Sequence, residues 1–292
     1  MSDQATGVIH DIGYRHYEGP RLGRGHAVRA LTLHSLRGVF GLGRTVRAKI
    51  IPFALTAVMF LPIVVSIAMM ALMKQRGMSY SAFAVTMQPV LAIFLASQSP
   101  TVVAPDLRFR VLPLYLSRPI TVTEYVGAKL AAMTAALFLL LALPLTVMYV
   151  GELLVDLEGP PRTADYLAAL VMGLVLALLL AAVGLALASF TPRRGLGVAS
   201  VIAVYLLASA VSTLLATTFQ AMDHDTASAW AWLINPFFLV DAVQVWLFGT
   251  TPANGESYPG GLGGPAAGLA VLALIALALT ALILRYRKAA SR

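Results

Sequence analysis

Asp223, His224 and Asp225 stand in a row and could offer oxygen and nitrogen ligands to a cation. Three adjacent polar residues in a connection more often make a solvated turn or a helix start. Other catalytic patterns are missing: the chain has no GxxxxGK[ST] phosphate loop, no HExxH, no GxSxG and no cysteine. ATP hydrolysis through a phosphate loop, metalloprotease or serine-protease chemistry, and thiol chemistry therefore lack their residues. His10, His16, His26 and His34 precede the first long apolar segment and His224 lies in a connection, so none is available in mid-membrane. The apolar segments hold no Lys or Arg well inside them, and their acids sit at or beyond their ends. A self-powered, ion-coupled transporter would need ionisable groups at mid-depth. What the segments offer is mild polarity: Gln88, Ser97, Gln98 and Ser99, with Pro89 and Pro100, in one, and Tyr205, Ser209 and Ser212 on one face of another. These side chains either hydrogen-bond between helices, at about 0.6 kcal/mol per contact, or line a path. Gln88, Gln98, Tyr205, Ser209 and Ser212 are the candidates for such a path.

The elements that would position these groups follow from composition. With 59% apolar and 12% charged residues, against about 45–50% and about 25% in soluble domains, the chain reads as an all-α integral membrane protein. Six apolar segments, over about 50–73, 83–104, 130–151, 165–190, 197–219 and 264–284, are each long enough to cross a hydrocarbon core of about 30 Å as a helix. No alternating apolar–polar strands point to a barrel. Residues 1–49 lack the apolar core of a signal peptide. Within them, Val28, Leu31, Leu36 and Val39 interleave with Arg29, His34, Arg37, Arg44 and Arg47 over about 26–48. That pattern predicts a basic amphipathic helix lying in the membrane interface. Residues 220–263 are too apolar for a free loop, and Asn235-Pro236 would break them into two short helices. Trp230, Trp232 and Trp246 mark interface depth there, giving a re-entrant helical hairpin before the last span. Gly264 and Gly268 have the GxxxG spacing of close helix packing.

Orientation follows from the basic residues. Of 21 Lys and Arg, 18 fall on the side of both termini and 3 on the other. The positive-inside rule then predicts cytoplasmic termini and an external hairpin. The net charge of +8 is accounted for by topology and by membrane lipid head groups, with no nucleic-acid partner required.

The longest basic connection, residues 105–129, is too patterned for a passive linker. Leu107, Val111 and Leu114 recur at helical spacing, which predicts a short amphipathic helix weakened by Pro113. Thr121 and Glu124 form a capping-box pattern that would start the next helix.

The arrangement of an interfacial helix, six spans, a long loop after the second and a broken hairpin before the sixth resembles a permease of the ABC transporter type 2 exporter family. The run Leu114-Tyr115-Leu116-Ser117-Arg118-Pro119-Ile120, followed by Glu124-Tyr125 and Lys129-Leu130, is similar to that family's pattern at the cytoplasmic entry to span three. Ile9–Arg24 resembles leaders of actinobacterial members, and Asn235-Pro236 the Asn-Pro step of the family's hairpin. The resemblance implies a bacterial plasma-membrane protein without a cofactor of its own. It also implies a separate ATPase subunit in two copies and a second permease copy, with spans two and five meeting their counterparts at the dimer centre. Leu107, Val111, Leu114, Tyr115, Arg118 and Glu124 would dock the ATPase, with Arg193 and Arg194 as a second contact. Two other readings compete. An energy-coupling component of an importer would carry Ala-Arg-Gly-type coupling helices, which are not seen. A non-transporting membrane scaffold or assembly protein needs nothing beyond the spans themselves.

Overall fold

The computed structural model describes residues 19, 22–109, 112–117, 120–155, 157, 159–191 and 193–290. Among these there are eleven helices and no strand: α1 (Arg24–Val39), α2 (Val46–Met73), α3 (Tyr80–Thr86), α4 (Gln88–Arg108), α5 (Leu112–Leu116), α6 (Val122–Leu154), α7 (Thr163–Phe190), α8 (Arg194–Ala221), α9 (Asp225–Trp232), α10 (Pro236–Phe248) and α11 (Gly263–Ala290). Six of them, α2, α4, α6, α7, α8 and α11, are long and apolar enough to cross a membrane. The shortest has 21 residues, or about 32 Å at 1.5 Å per residue. The chain is built as a multi-pass membrane protein.

Helices α4, α6 and α7 form the centre, with α2, α8 and α11 around them. Their most apolar windows are 67%, 50% and 61% buried, against 22%, 11% and 22% for the outer three. Both α6 and α7 bury small residues, including Ala132, Ala136, Ala177 and Ala181, and at their seam a Cβ on Gly173 would stand 3.8 Å from Leu141 Cδ1, so the backbones approach closely and dispersion replaces the hydrophobic effect as the adhesive. Gly184 serves the same purpose against α4, since a Cβ there would stand 2.6 Å from Leu95 Cδ1. Beside prolines in the spans, threonine hydroxyls bond back to the preceding turn of their own helix: Thr56 donates to Pro52 O at 2.8 Å and Thr146 to Ala142 O at 2.7 Å.

Element boundaries differ from the sequence reading in four places. The helix expected over about 26–48 ends at Val39, and α2 starts at Val46. Gly41 and Gly43 turn the chain between them with φ of +66° and +82°, and a Cβ on Gly41 would lie 2.6 Å from Ala48 O. The second span starts at Gln88, not near 83, because Pro89 cannot donate to the preceding turn; residues 80–86 make the separate α3, capped by Ser79. The third span starts at Val122, not 130, because the Thr121–Glu124 capping box closes its first turn. The connection is correspondingly short, and the single amphipathic helix expected across Leu107–Leu114 is not formed. Leu107 belongs to the last turn of α4, while Pro113 sits in the first turn of α5, where a missing N–H costs nothing. Val111 and Arg118 lie outside the described residues, as does most of the leader before Leu22.

Asn235-Pro236 does break the apolar stretch before the last span: α9 and α10 meet at 110°. Asn235 Oδ1 accepts the Phe237 N–H at 3.0 Å and so caps α10, and Gly249, at φ +65°, ends it. The strap of residues 249–262 then returns to α11. Gly264 faces this hairpin, since a Cβ on it would collide with the Trp246 ring. The GxxxG pattern is therefore used at this position for packing α11 against α10. Gly264→Val is expected to lower stability by about 1–3 kcal/mol through overpacking, read as a fall in melting temperature in detergent. Gly268→Val, with open space around its Cβ position, is expected to stay near the parent value.

Candidate functional site

One end of the bundle carries α1, α5, the end of α4, the start of α6 and the C-terminal turns of α11; it is called the terminal end here. Its centre is a buried charge pair. Asp106, in the last turns of α4, is 7% exposed, and its Oδ2 lies 3.0 Å from Lys129 Nζ of α6. The same oxygen accepts the Tyr125 hydroxyl at 2.7 Å. Lys129 also donates to Val102 O at 3.1 Å, one turn before Asp106 in α4. The fully buried Tyr125 ring packs between Tyr115 of α5 and Tyr286 of α11, at centroid distances of 5.3 and 5.8 Å. Four helices are thereby joined at one polar node. A charge pair removed from water needs its partners in place; Tyr286 contributes its ring only, since its buried hydroxyl has no hydrogen-bond partner among the described residues.

A second, exposed contact ties α1 to α6. Arg24 donates to both Glu124 oxygens at 3.0 Å, and Glu124 Oε2 also accepts the Thr121 N–H at 2.7 Å. With side chains 57% and 32% exposed, the ion pair is screened by solvent and adds little to stability. Arg285 of α11 donates to Ser189 O at 3.2 Å, covering a terminal carbonyl of α7.

The residues expected to dock a partner divide into distinct environments. Leu114 projects from α5 and is 72% exposed, a large apolar group left uncovered at this end. Tyr115 and Leu107 are half-buried. Tyr115 and Ile120 face His26, Leu31 and His34 of α1 across a groove of about 570 Å³. Glu124 is already engaged by Thr121 and Arg24. Arg193 is exposed and immediately precedes α8, and Arg194 is the first residue of that helix.

The residues expected to line a path are not brought together in one copy of the chain. Gln88 Oε1 accepts from Asn235 Nδ2 at 3.1 Å, fastening α4 to the hairpin break. Ser212, fully buried, donates to the Ala231 and Trp232 carbonyls at 3.0 and 3.1 Å and so covers the C-terminus of α9. Gln98 is buried, donating to Ser97 Oγ at 3.1 Å. Thr217 and Thr218 bond back to their own helix. Tyr205 differs: it stands in the wall of a cavity of about 190 Å³, with Ser209 one turn along the same helix. Ala92, Leu95, Val183, Phe237 and Leu274 share that wall. This cavity is apolar apart from the phenol, and five helices contribute to it.

At the opposite end, Glu152 in the last turn of α6 is 4% exposed. It accepts the Tyr80 hydroxyl at 2.7 Å, the Arg162 N–H at 3.0 Å and the Arg162 guanidinium at 3.1 Å. Burial and the Glu152 hydrogen bond hold Tyr80 well above the ordinary phenol value, so it stays a donor. Sequence reasoning passed over both networks. Their signal was the presence of Asp106, Lys129, Glu152 and Arg162 at the edges of apolar segments, where an unpaired charge would be costly. Asp223, His224 and Asp225 do not gather a third ligand; among the described residues no group of three His, Asp or Glu could hold a metal ion.

No family model matches the chain, and no curated protein is significantly similar to it in sequence.

Proposed function

We propose that this chain is the membrane-spanning permease subunit of an ATP-driven exporter of the ABC type 2 kind. A separate ATPase in two copies would drive it, and it would work beside a second copy of itself or a close homologue. The observation that supports this most is the node of Asp106, Lys129, Tyr125 and Tyr286 directly behind the exposed Leu114. A force applied to α5 is delivered through Tyr115 and Tyr125 to α4, α6 and α11 as one body, rather than absorbed by a soft loop. Rigid-body motion of such a unit biases the bundle between inward- and outward-facing states. The absence of a phosphate loop from this sequence is consistent with a motor on another chain.

In this reading the terminal end is cytoplasmic, as the 18 basic residues on that side favour. Helix α1 lies in the interface, and α9–α10 form an external re-entrant hairpin. The outer face of α8, the least buried of the spans, meets the second copy. The apolar cavity with Tyr205 in its wall favours a hydrophobic or amphipathic substrate. The host is a bacterium and the membrane its plasma membrane. Affinity purification from native membranes tests the assignment. A phosphate-loop ATPase should be recovered in equal molar amount with this chain. Recovery of the chain alone, from mild detergents that preserve the fold, would count against it.

A further inference from the structure

The hairpin and strap carry a concentration of unsatisfied polar atoms. Asp241 Oδ1, Gln244 Nε2, Thr250 Oγ1 and Asn254 Nδ2 are all buried without a hydrogen-bond partner, although buried polar groups are ordinarily paired. Asp241 and Gln244 stand three residues apart on α10, so they share a face. They are 4% and 5% exposed and line a cavity of about 20 Å³ together with Tyr80, Ser81 and apolar residues of α6 and α7. The transport reading uses none of these groups.

The Asp241 carboxyl is asymmetric. Its Oδ2 accepts the Tyr258 hydroxyl at 2.6 Å and the Ala253 N–H at 2.7 Å, while Oδ1 receives nothing. An ionised carboxylate needs donors on both oxygens, whereas a carboxylic acid accepts on one and donates from the other. Among the described residues, none that faces the group supplies a countercharge. Helices α6 and α7 present Leu141, Leu145, Ala169 and Met172, α3 presents Tyr80 and Ser81, and the strap presents Tyr258. Tyr80 and Arg162 are committed to Glu152, and Glu256 accepts from Trp232 Nε1 at 3.3 Å. The basic residues of α11, Arg285, Arg287 and Lys288, lie at its other end.

We propose that Asp241 is a proton-binding site whose neutral acid, carrying its proton on Oδ1, fastens the strap to the hairpin, and whose ionisation loosens it. The Gln244 amide, whose two ends are interchangeable by rotation, is the acceptor for that proton when its oxygen turns inward. The proton is taken from and returned to water. Burial raises Asp241 from 3.8 to about 6. Burial also lifts Tyr258, which stays a donor. For a carboxyl raised on closure, the stabilisation is complete below about pH 4 and is lost as pH climbs through about 6. Two further contacts hold the strap without Asp241: Ser81 donates to Thr251 O at 2.8 Å and Trp232 Nε1 to Glu256 Oε2 at 3.3 Å.

Because the chain has no cysteine, single thiols report without background. In detergent-purified full-length protein, Thr250→Cys reads the buried strap and Ser257→Cys, at an exposed position, is the reference. Dividing the two maleimide-labelling rates at each pH cancels thiol ionisation. The ratio is expected to rise about tenfold between about pH 5 and about pH 8. With Asp241→Asn it should stay low throughout. Tyr258→Phe, which removes a donor to the ionised form, should move the midpoint to higher pH. A flat ratio in the parent, an unchanged slope in Asp241→Asn, or, should that variant not fold, an unmoved midpoint in Tyr258→Phe overturns the assignment.

Discussion

Lys129→Met is expected to destabilise the protein by about 3–5 kcal/mol, the largest single-site loss anticipated outside the helix seams. The substitution keeps the length and the apolar stem of the side chain but removes the ammonium 3.0 Å from Asp106. Among the described residues, Asp106 is then left buried with the Tyr125 hydroxyl as its remaining side-chain partner. The cost comes from the stranded carboxylate, not from the lost attraction itself, so a second change should cancel much of it. Lys129→Met combined with Asp106→Asn is expected to recover most of the stability, a coupling that a double-mutant cycle isolates. Melting in detergent with both single variants and the double measures it. Additive losses would mean that the pair does not share a buried node.

Leu114→Glu, alone or with Arg118→Glu, is expected to leave the melting temperature unchanged and to reduce stimulation of the ATPase proposed as its partner by about tenfold or more. Leu114 is 72% exposed, so a carboxylate there costs nothing within the chain. Buried at a docking surface it would lose its hydration without a partner, at several kcal/mol. Loss of stability with retained ATPase binding would show that α5 packs inward and docks nothing.

The spans were legible because a membrane asks one thing of every residue in a segment, and the 1.5 Å rise converts that demand directly into length. Break points were legible where the determinant is local. Asn235-Pro236 ends one helix and starts another within two residues, and Thr121 and Glu124 complete a cap within a single turn. Pro89 was a local signal as well, yet it was read as polarity within a span rather than as its start. Pro113 shows the reverse error: it opens α5 instead of weakening a helix.

The site was harder to read because its residues meet only in three dimensions. Ser212 shares a helical face with Tyr205 and Ser209, so α8 alone suggests a polar stripe. The carbonyls that Ser212 serves come from α9. Asp106 and Lys129 lie on different helices, and nothing in their spacing says that one answers the other. Gln88 belonged to the same difficulty, since its partner Asn235 is 147 residues away. Periodicity identifies which face a residue occupies; it does not identify what arrives opposite that face.

ATP turnover tests the central claim most directly. The ATPase proposed to co-purify with this chain is reconstituted in lipid vesicles with and without it, and hydrolysis is followed across hydrophobic and amphipathic compounds. The predicted result is a turnover that depends on this chain, rises several-fold with some of those compounds, and collapses with Leu114→Glu while the membrane subunit stays folded. Hydrolysis at the same rate whether or not the chain is present, and indifferent to every compound, would contradict it.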